Sequence, residues 1–204
     1  MLVIDVAPDV AAIVRPQGVV VDDVHVREQD AGLDEPLRLA AAALRTRVAS
    51  SEITDAVRGM YRRFGIDPTK TRPSSEALLR RVRKGGELPR VNSLVDIINW
   101  CSVESQLPFG LYDLDRIQAP VTARMGRPEE EYPGIRKDMV HLERRLTLVD
   151  AIGPFGNPTS DSARTMITTA TTRAFVVIFA PAGVDSAIVE RTKGSVLNRI
   201  RQYA

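Results

Sequence analysis

The chain has 204 residues, of which 44% are hydrophobic and 26% charged, and its formal net charge is +2. These values exclude a globally disordered chain and a polycation, and they predict one domain with a sizeable core. Cys101 is the only cysteine, and His25 and His141 are the only histidines. An internal disulfide is therefore excluded, and we predict no metal site. No stretch reaches about 18 consecutive apolar residues, so we expect a soluble, cytoplasmic protein without a membrane partner.

Charge is distributed unevenly along the chain. Residues 1–60 contain ten Asp or Glu against six Lys or Arg, whereas residues 62–90 contain nine Lys or Arg against three Asp or Glu. A basic segment on a near-neutral protein predicts a confined contact with an anionic partner, although a solvated helix face gives the same pattern.

The first half of the chain reads mainly as helices with two early strands. A β-branched run and short apolar segments predict strands, while Ala- and Leu-rich periodic segments predict helices. The predicted strands are 2–6 and 19–26, and the predicted helices are 8–13 (one turn), 36–47 and 51–64.

Two further helices follow the basic segment IDPTKTRP. Pro73 suits the first turn of a helix that ends at Gly85 and Gly86, with basic residues in its last turn. The next helix begins near Ser93, which has capping-box spacing to Asp96, and carries an apolar stripe through Leu94, Ile97, Ile98 and Cys101.

After Pro108 the pattern changes to short apolar segments separated by Gly, Pro and Asp. Residues 116–125, 138–149 and 174–180 are predicted strands, residues 153–162 a long irregular loop, and residues 185–203 a final helix. Helices early and strands late favour an α+β fold.

A polar stripe runs through the otherwise apolar helix after residue 91. Asn92, Asp96 and Asn99 recur at helical spacing, and unpaired polar groups there would cost about 1–3 kcal/mol each if buried. We predict that these residues, with Asp113, hold neighbouring loops in place behind a pocket.

Two segments could form that pocket. The Pro-Phe-Gly turn contributes Pro108, Phe109 and Gly110, and the hydroxyl-rich segment TSDSART contributes Asp161, Ser162, Arg164 and Thr165. Hydroxyls with one arginine could hold an anion, a sugar hydroxyl or a carboxylate, although the same residues could simply cap a turn.

The basic segment predicts phosphate contacts. The candidate residues for RNA binding are Lys70, Arg72, Arg80, Arg81, Arg83 and Lys84, which would give salt-dependent, sequence-independent affinity. Aromatic residues are too sparse for a base-stacking platform, and no Walker loop, GxGxxG, GxSxG or CxxC occurs. We therefore predict no cofactor.

These residues resemble a known family. The pattern N-x-x-V-D-x-x-N followed by P-x-x-x-x-D-L-D, on residues 92–99 and 108–115, is similar to the tRNA-binding and editing module, the B3/B4 domain, of the phenylalanyl-tRNA synthetase beta subunit. The stretch DPTKTRPSSEALLRRVRKGGELPRVNSLVDIIN resembles free-standing relatives of that module more closely. The resemblance covers about residues 61–180, with residues 1–60 matched loosely and residues 181–204 forming a C-terminal helix of the same single domain, 1–204.

The resemblance implies a three-layer α+β fold containing a β-sandwich, and a role near aminoacyl-tRNA. In the synthetase, the module hydrolyses tyrosine wrongly attached to the phenylalanine tRNA, a second sieve that uses an oriented water and donors to the oxyanion. The synthetase's charging and anticodon-reading parts are absent, so we do not expect this chain to charge a tRNA.

This chain departs from the family pattern at the pocket. Gly110 stands where the family has a histidine, and Arg164 or Thr165 lies near the place of a pocket glutamate. The general base and tyrosine specificity therefore do not carry over, and Gly110, Ser162, Arg164 and Thr165 are the catalytic candidates.

Three functions stay open at this point. The chain could be a free-standing deacylase for a mischarged aminoacyl-tRNA, a non-catalytic RNA-binding module, or a protein that binds an amino-acid-like metabolite through Arg164. The pattern leaves the amino acid, the tRNA and the oligomeric state undetermined.

Overall fold

The computed structural model describes residues 2–48, 50–135 and 138–204. Within these ranges the helices are α1 (Pro8–Ala11), α2 (Asp34–Thr46), α3 (Ser51–Arg63), α4 (Ser74–Arg83), α5 (Ser93–Ser105) and α6 (Ser186–Tyr203). The strands are β1 (Ile4–Val6), β2 (Val14–Val21), β3 (Phe109–Asp113), β4 (Val121–Met125), β5 (Glu131–Pro133), β6 (Met139–His141), β7 (Leu146–Val149), β8 (Pro154–Gly156) and β9 (Ala174–Pro181). Short 3-10 helices cover Ala31–Leu33, Leu114–Arg116 and Ala163–Thr165.

The described strands form two larger sheets and a hairpin. The first sheet has the order β2-β9-β3 and is antiparallel, with all eight residues of β9 buried. The second has the order β1-β4-β7-β8, in which only β1 and β4 are parallel. Strands β5 and β6 pair separately.

Alternate side chains of β9 explain the layers. Ala174 and Val176 pack into a core with α2, α4, α5 and α6, whereas Phe175, Val177 and Phe179, joined by Ile178, pack into a second core with α3, β4, β7 and β8. Side chains of a strand alternate between faces, so the β2-β9-β3 sheet lies between a helical layer and the second sheet. The predicted α+β class is confirmed, with three layers and a β-sandwich.

Several predicted boundaries lie elsewhere. The strand predicted over 19–26 is confirmed for residues 19–21 only, because β2 ends at Val21 and Asp23 then takes a positive φ of 58°. The strand begins at Val14 and includes Pro16, which an edge strand tolerates because the backbone N–H that proline lacks is not needed on the outer side.

The second half also differs in detail. The predicted strand 116–125 begins only at Val121, and 138–149 divides into β6 and β7. The predicted loop 153–162 contains β8, whose Pro154 occupies the first position of an edge strand.

Candidate functional site

A cleft of about 1050 Å³ opens beside α5. One wall is formed by the face of α5 that carries Val95, Asn99 and Ser102, which we call its cleft face. The other walls come from β3, the segment 166–169 and the segment 28–29. Its lining combines apolar side chains with amides, hydroxyls and two carboxylates. The described lining residues are Glu28, Gln29, Ser74, Val91, Asn92, Val95, Ile98, Asn99, Ser102, Phe109, Leu111, Ile135, Asp161, Met166, Ile167, Thr168 and Thr169.

The start of α5 is fixed by the first two residues of the polar stripe. Asn92 is the N-cap, and its Oδ1 accepts a hydrogen bond from the backbone N–H of Val95 at 2.9 Å. The Asp96 carboxylate is buried and accepts from the Val91 N–H and from Arg90 Nε, each at 2.7 Å. The predicted capping box centred on Ser93 is therefore wrong, because Asn92 provides the cap and Asp96 binds the backbone before it.

The same region holds the opposite wall of the cleft. The backbone N–H of Arg27 donates to Ser93 Oγ at 3.0 Å, and the Ser93 N–H donates to the Arg27 carbonyl at 2.8 Å. Arg90 additionally donates to the Asp30 carbonyl at 2.8 Å and pairs with Asp34. These bonds position Glu28 and Gln29 at the cleft.

Asn92 and Asp96 do not bond to the Pro-Phe-Gly turn or to the TSDSART segment. Their hydrogen bonds end on residues 90, 91 and 95, so the predicted support of those two loops is corrected to support of the start of α5. Asn99 differs from both. It is half-buried, lines the cleft, and its carboxamide makes no hydrogen bond with any described residue.

Strand β3 presents alternate residues to the cleft. Phe109 and Leu111 line it, while Gly110 and Tyr112 point toward the second sheet. A Cβ on Gly110 would lie 2.1 Å from the Tyr112 hydroxyl oxygen, and one on Gly156 would lie 2.2 Å from it. Gly110 is therefore outside the lining and makes room for Tyr112.

Three buried tyrosines hold the segment 157–162, and sequence reasoning missed them. The Tyr112 hydroxyl donates to Asp161 Oδ1 at 2.7 Å, the Tyr61 hydroxyl to the Pro158 carbonyl at 2.9 Å, and the Tyr132 hydroxyl to the Ser160 carbonyl at 2.5 Å. Burial raises the pKa of all three phenols above the ordinary value, so they stay protonated donors. This segment and β3 thus meet at the Tyr112–Asp161 bond.

Asn157 completes this support from inside the turn. Its Oδ1 accepts from the N–H groups of Thr159 and Ser160 at 2.8 and 2.9 Å, and its Nδ2 donates to the Tyr132 hydroxyl at 3.0 Å. An Asn-Pro pair is a turn signal in the sequence, but nothing there indicates the tyrosine that it meets.

Arg164 is engaged outside the cleft. Its guanidinium pairs with Asp150, with Nη2 to Oδ1 at 2.9 Å, and donates to the Arg116 carbonyl at 2.9 Å. Burial pushes the pKa of Asp150 upward, but the Arg164 guanidinium and the N–H groups of Gln118 and Gly153 outweigh it and hold that pKa below its usual value.

Most of the remaining residues predicted for the pocket also lie outside the cleft. Ser162 Oγ accepts from the Arg164 N–H at 3.2 Å, Thr165 Oγ1 donates to the Phe155 carbonyl at 3.4 Å, and both residues are buried. The Pro108 carbonyl accepts from the Phe179 N–H at 3.0 Å. Of the seven residues predicted for the pocket, Phe109 and Asp161 line the cleft, and Pro108, Gly110, Ser162, Arg164 and Thr165 lie outside its lining.

Asp113 lies behind the wall of the cleft that the segment 166–169 forms. Its Oδ2 accepts from Thr171 Oγ1 at 2.8 Å, and the same Thr171 oxygen accepts from the Thr168 N–H at 3.0 Å. These bonds fix the turn that carries Thr168 and Thr169, two hydroxyl-bearing cleft residues that the sequence reading did not single out.

The predicted RNA-binding residues lie along α4 and the turn before it. Lys70 is exposed, and Arg72 pairs with Glu76 at 3.2 Å. Arg81 and Arg83 donate to the carbonyls of Glu87 and Arg47, at 2.8 and 2.7 Å. Arg80 and Lys84 are exposed. Ser74, at the start of α4, reaches the cleft, whereas these last four residues lie toward the other end.

Within the ranges that the structure describes, no three or more His, Cys, Asp or Glu side chains are grouped as metal ligands would be. The helices in those ranges are either too short or too polar to cross a bilayer.

Comparisons with known proteins identify the family. No curated protein matches the chain in sequence. Among solved structures, the chain is similar to an N-terminal fragment of the phenylalanyl-tRNA synthetase beta subunit from Pyrococcus horikoshii, with 12% identity and a TM-score of 0.44 over 90% of this chain and 74% of that chain. The family model of the B3/4 domain matches residues 56–196, which is most of the chain. The chain therefore belongs to the B3/4 domain family.

Proposed function

We propose that this chain binds tRNA and that the cleft beside α5 receives the aminoacylated 3′ end. Membership of the B3/4 family and the resemblance of residues 92–99 and 108–115 to the synthetase editing module support a tRNA-related role. The observation that carries the proposal is the cleft itself, with its size and its mixture of apolar and hydrogen-bonding walls.

The size of the cleft fits a ligand larger than a free amino acid. Ligand pockets commonly have volumes of about 300–1,000 Å³, and this one reaches about 1050 Å³. Phe109, Leu111 and Ile98 offer an apolar surface for a side chain or a base, while Asn99 and Thr168 offer hydrogen bonds to ribose or to the ester.

The charged surface supports an approach of the acceptor stem from the start of α4. Lys70 and Arg72 precede Ser74, which lines the cleft, so they are positioned to contact phosphates just before the 3′ end. A ten-residue helix is about 15 Å long, so the basic residues at the end of α4 would contact phosphates farther along the RNA.

Ester hydrolysis is a second candidate, favoured by the free carboxamide of Asn99. Hydrolysis requires an oriented water and donors aimed at the developing oxyanion. Asn99 is a half-buried amide with no partner among the described residues. Its oxygen can orient a water, and its NH2 group can donate to the oxyanion. Gly110, Ser162, Arg164 and Thr165 lie outside the lining, so Asn99 replaces them as the residue to test first.

Binding of charged and uncharged tRNA to purified protein tests the first proposal. We expect the wild-type protein to prefer charged tRNA and the Asn99→Leu protein to lose that preference. Asn198→Leu, the same change at an exposed position of α6, is the matched control and should behave as wild type. Equal affinity of the wild-type protein for charged and uncharged tRNA, or no binding, would contradict the proposal.

Hydrolysis is tested separately with tRNA charged with each amino acid in turn. Turnover of at least one ester by the wild-type and Asn198→Leu proteins, with a reduced rate in Asn99→Leu, supports a deacylase. Binding without turnover of any ester leaves a non-catalytic tRNA-binding protein.

A further inference from the structure

A second concave site lies where α5 meets α6. This α5–α6 groove has a volume of about 360 Å³ and is lined by Arg47, Ile53, Cys101, Glu104, Ser105, Ile188, Arg191, Thr192, Ser195 and Arg199. Successive helical residues are about 100° apart around the axis, so Cys101, Glu104 and Ser105 lie on a different face of α5 from Val95, Asn99 and Ser102, which line the cleft.

Arg199 is held rigidly in the α5–α6 groove. Its Nη2 lies 2.5 Å from Glu104 Oε2, and its guanidinium carbon lies 3.7 Å from the centroid of the Trp100 ring. Its Nη1 lies 3.4 Å from Cys101 Sγ. Burial raises the pKa of the Cys101 thiol, so that group stays neutral, and among the described residues Glu104 alone offsets the charge of Arg199.

Two further arginines add charge that no described carboxylate offsets. Arg191 is exposed, and its guanidinium makes no hydrogen bond or ion pair with a described residue. Arg47 Nη1 donates to the Glu104 carbonyl, a neutral acceptor, at 3.1 Å. Three guanidinium groups therefore meet one carboxylate among the described lining residues of the groove.

The hydroxyl groups that line the groove already donate their hydrogen bonds to backbone carbonyls. Ser105 donates to the Cys101 carbonyl at 2.8 Å, Thr192 to the Ile188 carbonyl at 2.8 Å, and Ser195 to the Arg191 carbonyl at 3.1 Å. The arginines thus supply the hydrogen bonds to a bound anion, and planar guanidinium groups match the oxygens of phosphate in pairs.

We propose that the α5–α6 groove binds a phosphate group, supplied by an RNA backbone or by a small phosphorylated metabolite. Arg47 links the groove to the basic end of α4, because its carbonyl accepts a hydrogen bond from Arg83 Nη2 at 2.7 Å. An extended anion can therefore contact both. The site does not depend on the function proposed for the cleft.

Paired substitutions on exposed arginines test the site. The test protein carries Arg47→Gln and Arg191→Gln, and the control carries Arg201→Gln, an exposed arginine of α6 outside the lining. Arg199 is left intact because Glu104 would otherwise lose its ion-pair partner. Circular dichroism checks folding, and Arg191→Gln alone replaces the double variant if that variant is unstable.

Tripolyphosphate and uncharged tRNA are the two probes, each titrated at several salt concentrations. For the probe that occupies the groove, we expect the double variant to bind about tenfold more weakly than the control. With tRNA, the slope of log affinity against log salt should also fall by about 1 for each arginine removed.

The two probes separate the sources of the phosphate. A loss confined to tRNA assigns the groove to the RNA backbone, and a loss that includes tripolyphosphate assigns it to small phosphates as well. Identical binding by the double variant and the Arg201→Gln control with both probes would overturn the proposal. Asn99→Leu should leave tripolyphosphate binding unchanged, so failure of the cleft proposal is distinguishable from failure of this one.

Discussion

Helix α5 separates two sites of different character. On its cleft face, Asn99 carries a carboxamide that has no hydrogen-bond partner among the described residues, beside hydroxyls and apolar side chains, in a volume of about 1050 Å³. On its groove face, Glu104 binds an arginine from α6 in a volume of about 360 Å³ that two further arginines line. The first site suits a neutral or mixed ligand that is read by hydrogen bonds, and the second suits a phosphate.

The contrast shows what each polar residue of α5 does. Asn92 and Asp96 satisfy backbone groups at the helix start, Glu104 holds Arg199, and Asn99 retains unused hydrogen-bonding capacity. A stripe of polar residues at helical spacing is therefore not one functional unit. Asn99, whose side chain has no partner among the described residues, is the one that we propose contacts a ligand.

The largest effect is expected from Asp96→Leu, which removes the anchor at the start of α5. The change leaves the Val91 N–H and one contact of Arg90 unpaired, and loss of one partner of a buried ion pair costs about 3–5 kcal/mol. Because Arg90 is partly exposed and also pairs with Asp34, we expect the free energy of unfolding to fall by about 3 kcal/mol, the lower end of this range. Denaturant unfolding measures this loss, and hydrogen exchange should show faster opening of residues 27–30 and 90–93. An unchanged unfolding midpoint would contradict the anchoring role.

A smaller effect, about 2 kcal/mol, is expected from Gly110→Ala, which disturbs the packing of β3 against the second sheet. The new methyl group overlaps the Tyr112 hydroxyl, and overpacking a core typically costs about 1–3 kcal/mol. Thermal unfolding measures the change. Gly59→Ala, in the middle of α3, places the added carbon more than 4 Å from every described atom beyond its chain neighbours and its own helix backbone, and should instead stabilise the protein by about 1 kcal/mol. Equal effects of the two substitutions would disprove the close approach of Tyr112.

The smallest of the three effects, about 1.5 kcal/mol, is expected from Arg164→Ala, which leaves both α5 sites intact. The side chain of Asp150 is fully buried and loses an ion pair, but it keeps its backbone donors. We expect tRNA affinity and any deacylation to stay within twofold of wild type. A loss of binding in a folded Arg164→Ala protein would place this residue in the ligand site and contradict the account of the cleft.

The same variant has a pH signature. The folded-state pKa of Asp150 lies below its ordinary value of 3.8, so its stabilising contribution is present above that value and is lost as pH falls through the folded pKa. The stability difference between wild type and Arg164→Ala should therefore be full above about pH 5 and shrink below about pH 4. When Asp150→Asn is added to both proteins, the stability difference between them should no longer depend on pH. Without that change, a stability difference that is constant down to about pH 2.5 would disprove the coupling between Asp150 and Arg164.

The sequence predicts the fold better than the site, for a physical reason. Helix α5 and strand β9 are dictated by local apolar patterns, and both lie close to their predicted limits. The contacts of the site join residues far apart in the chain, such as Tyr112 with Asp161 and Ser93 with Arg27. Local spacing carries no information about such partners.

Arg164 illustrates the same limit. Its sequence neighbours are hydroxyls, which indicate an anion site, yet its charge is used by Asp150. Phe109 was predicted because it belongs to the Pro-Phe-Gly turn, and its strand position then places it at the cleft. Glu28 and Gln29 were missed because only the hydrogen bonds between Arg27 and Ser93 bring them there.

The most direct test of the cleft proposal is photocrosslinking from tRNA charged with a photoreactive amino acid, followed by mapping of the modified peptides. We predict crosslinks to residues 92–102, 109–111 and 166–169, and their loss when uncrosslinkable charged tRNA is added in excess. Crosslinks confined to the α5–α6 groove, or spread over the surface without competition, would contradict the claim that the cleft beside α5 holds the aminoacyl end.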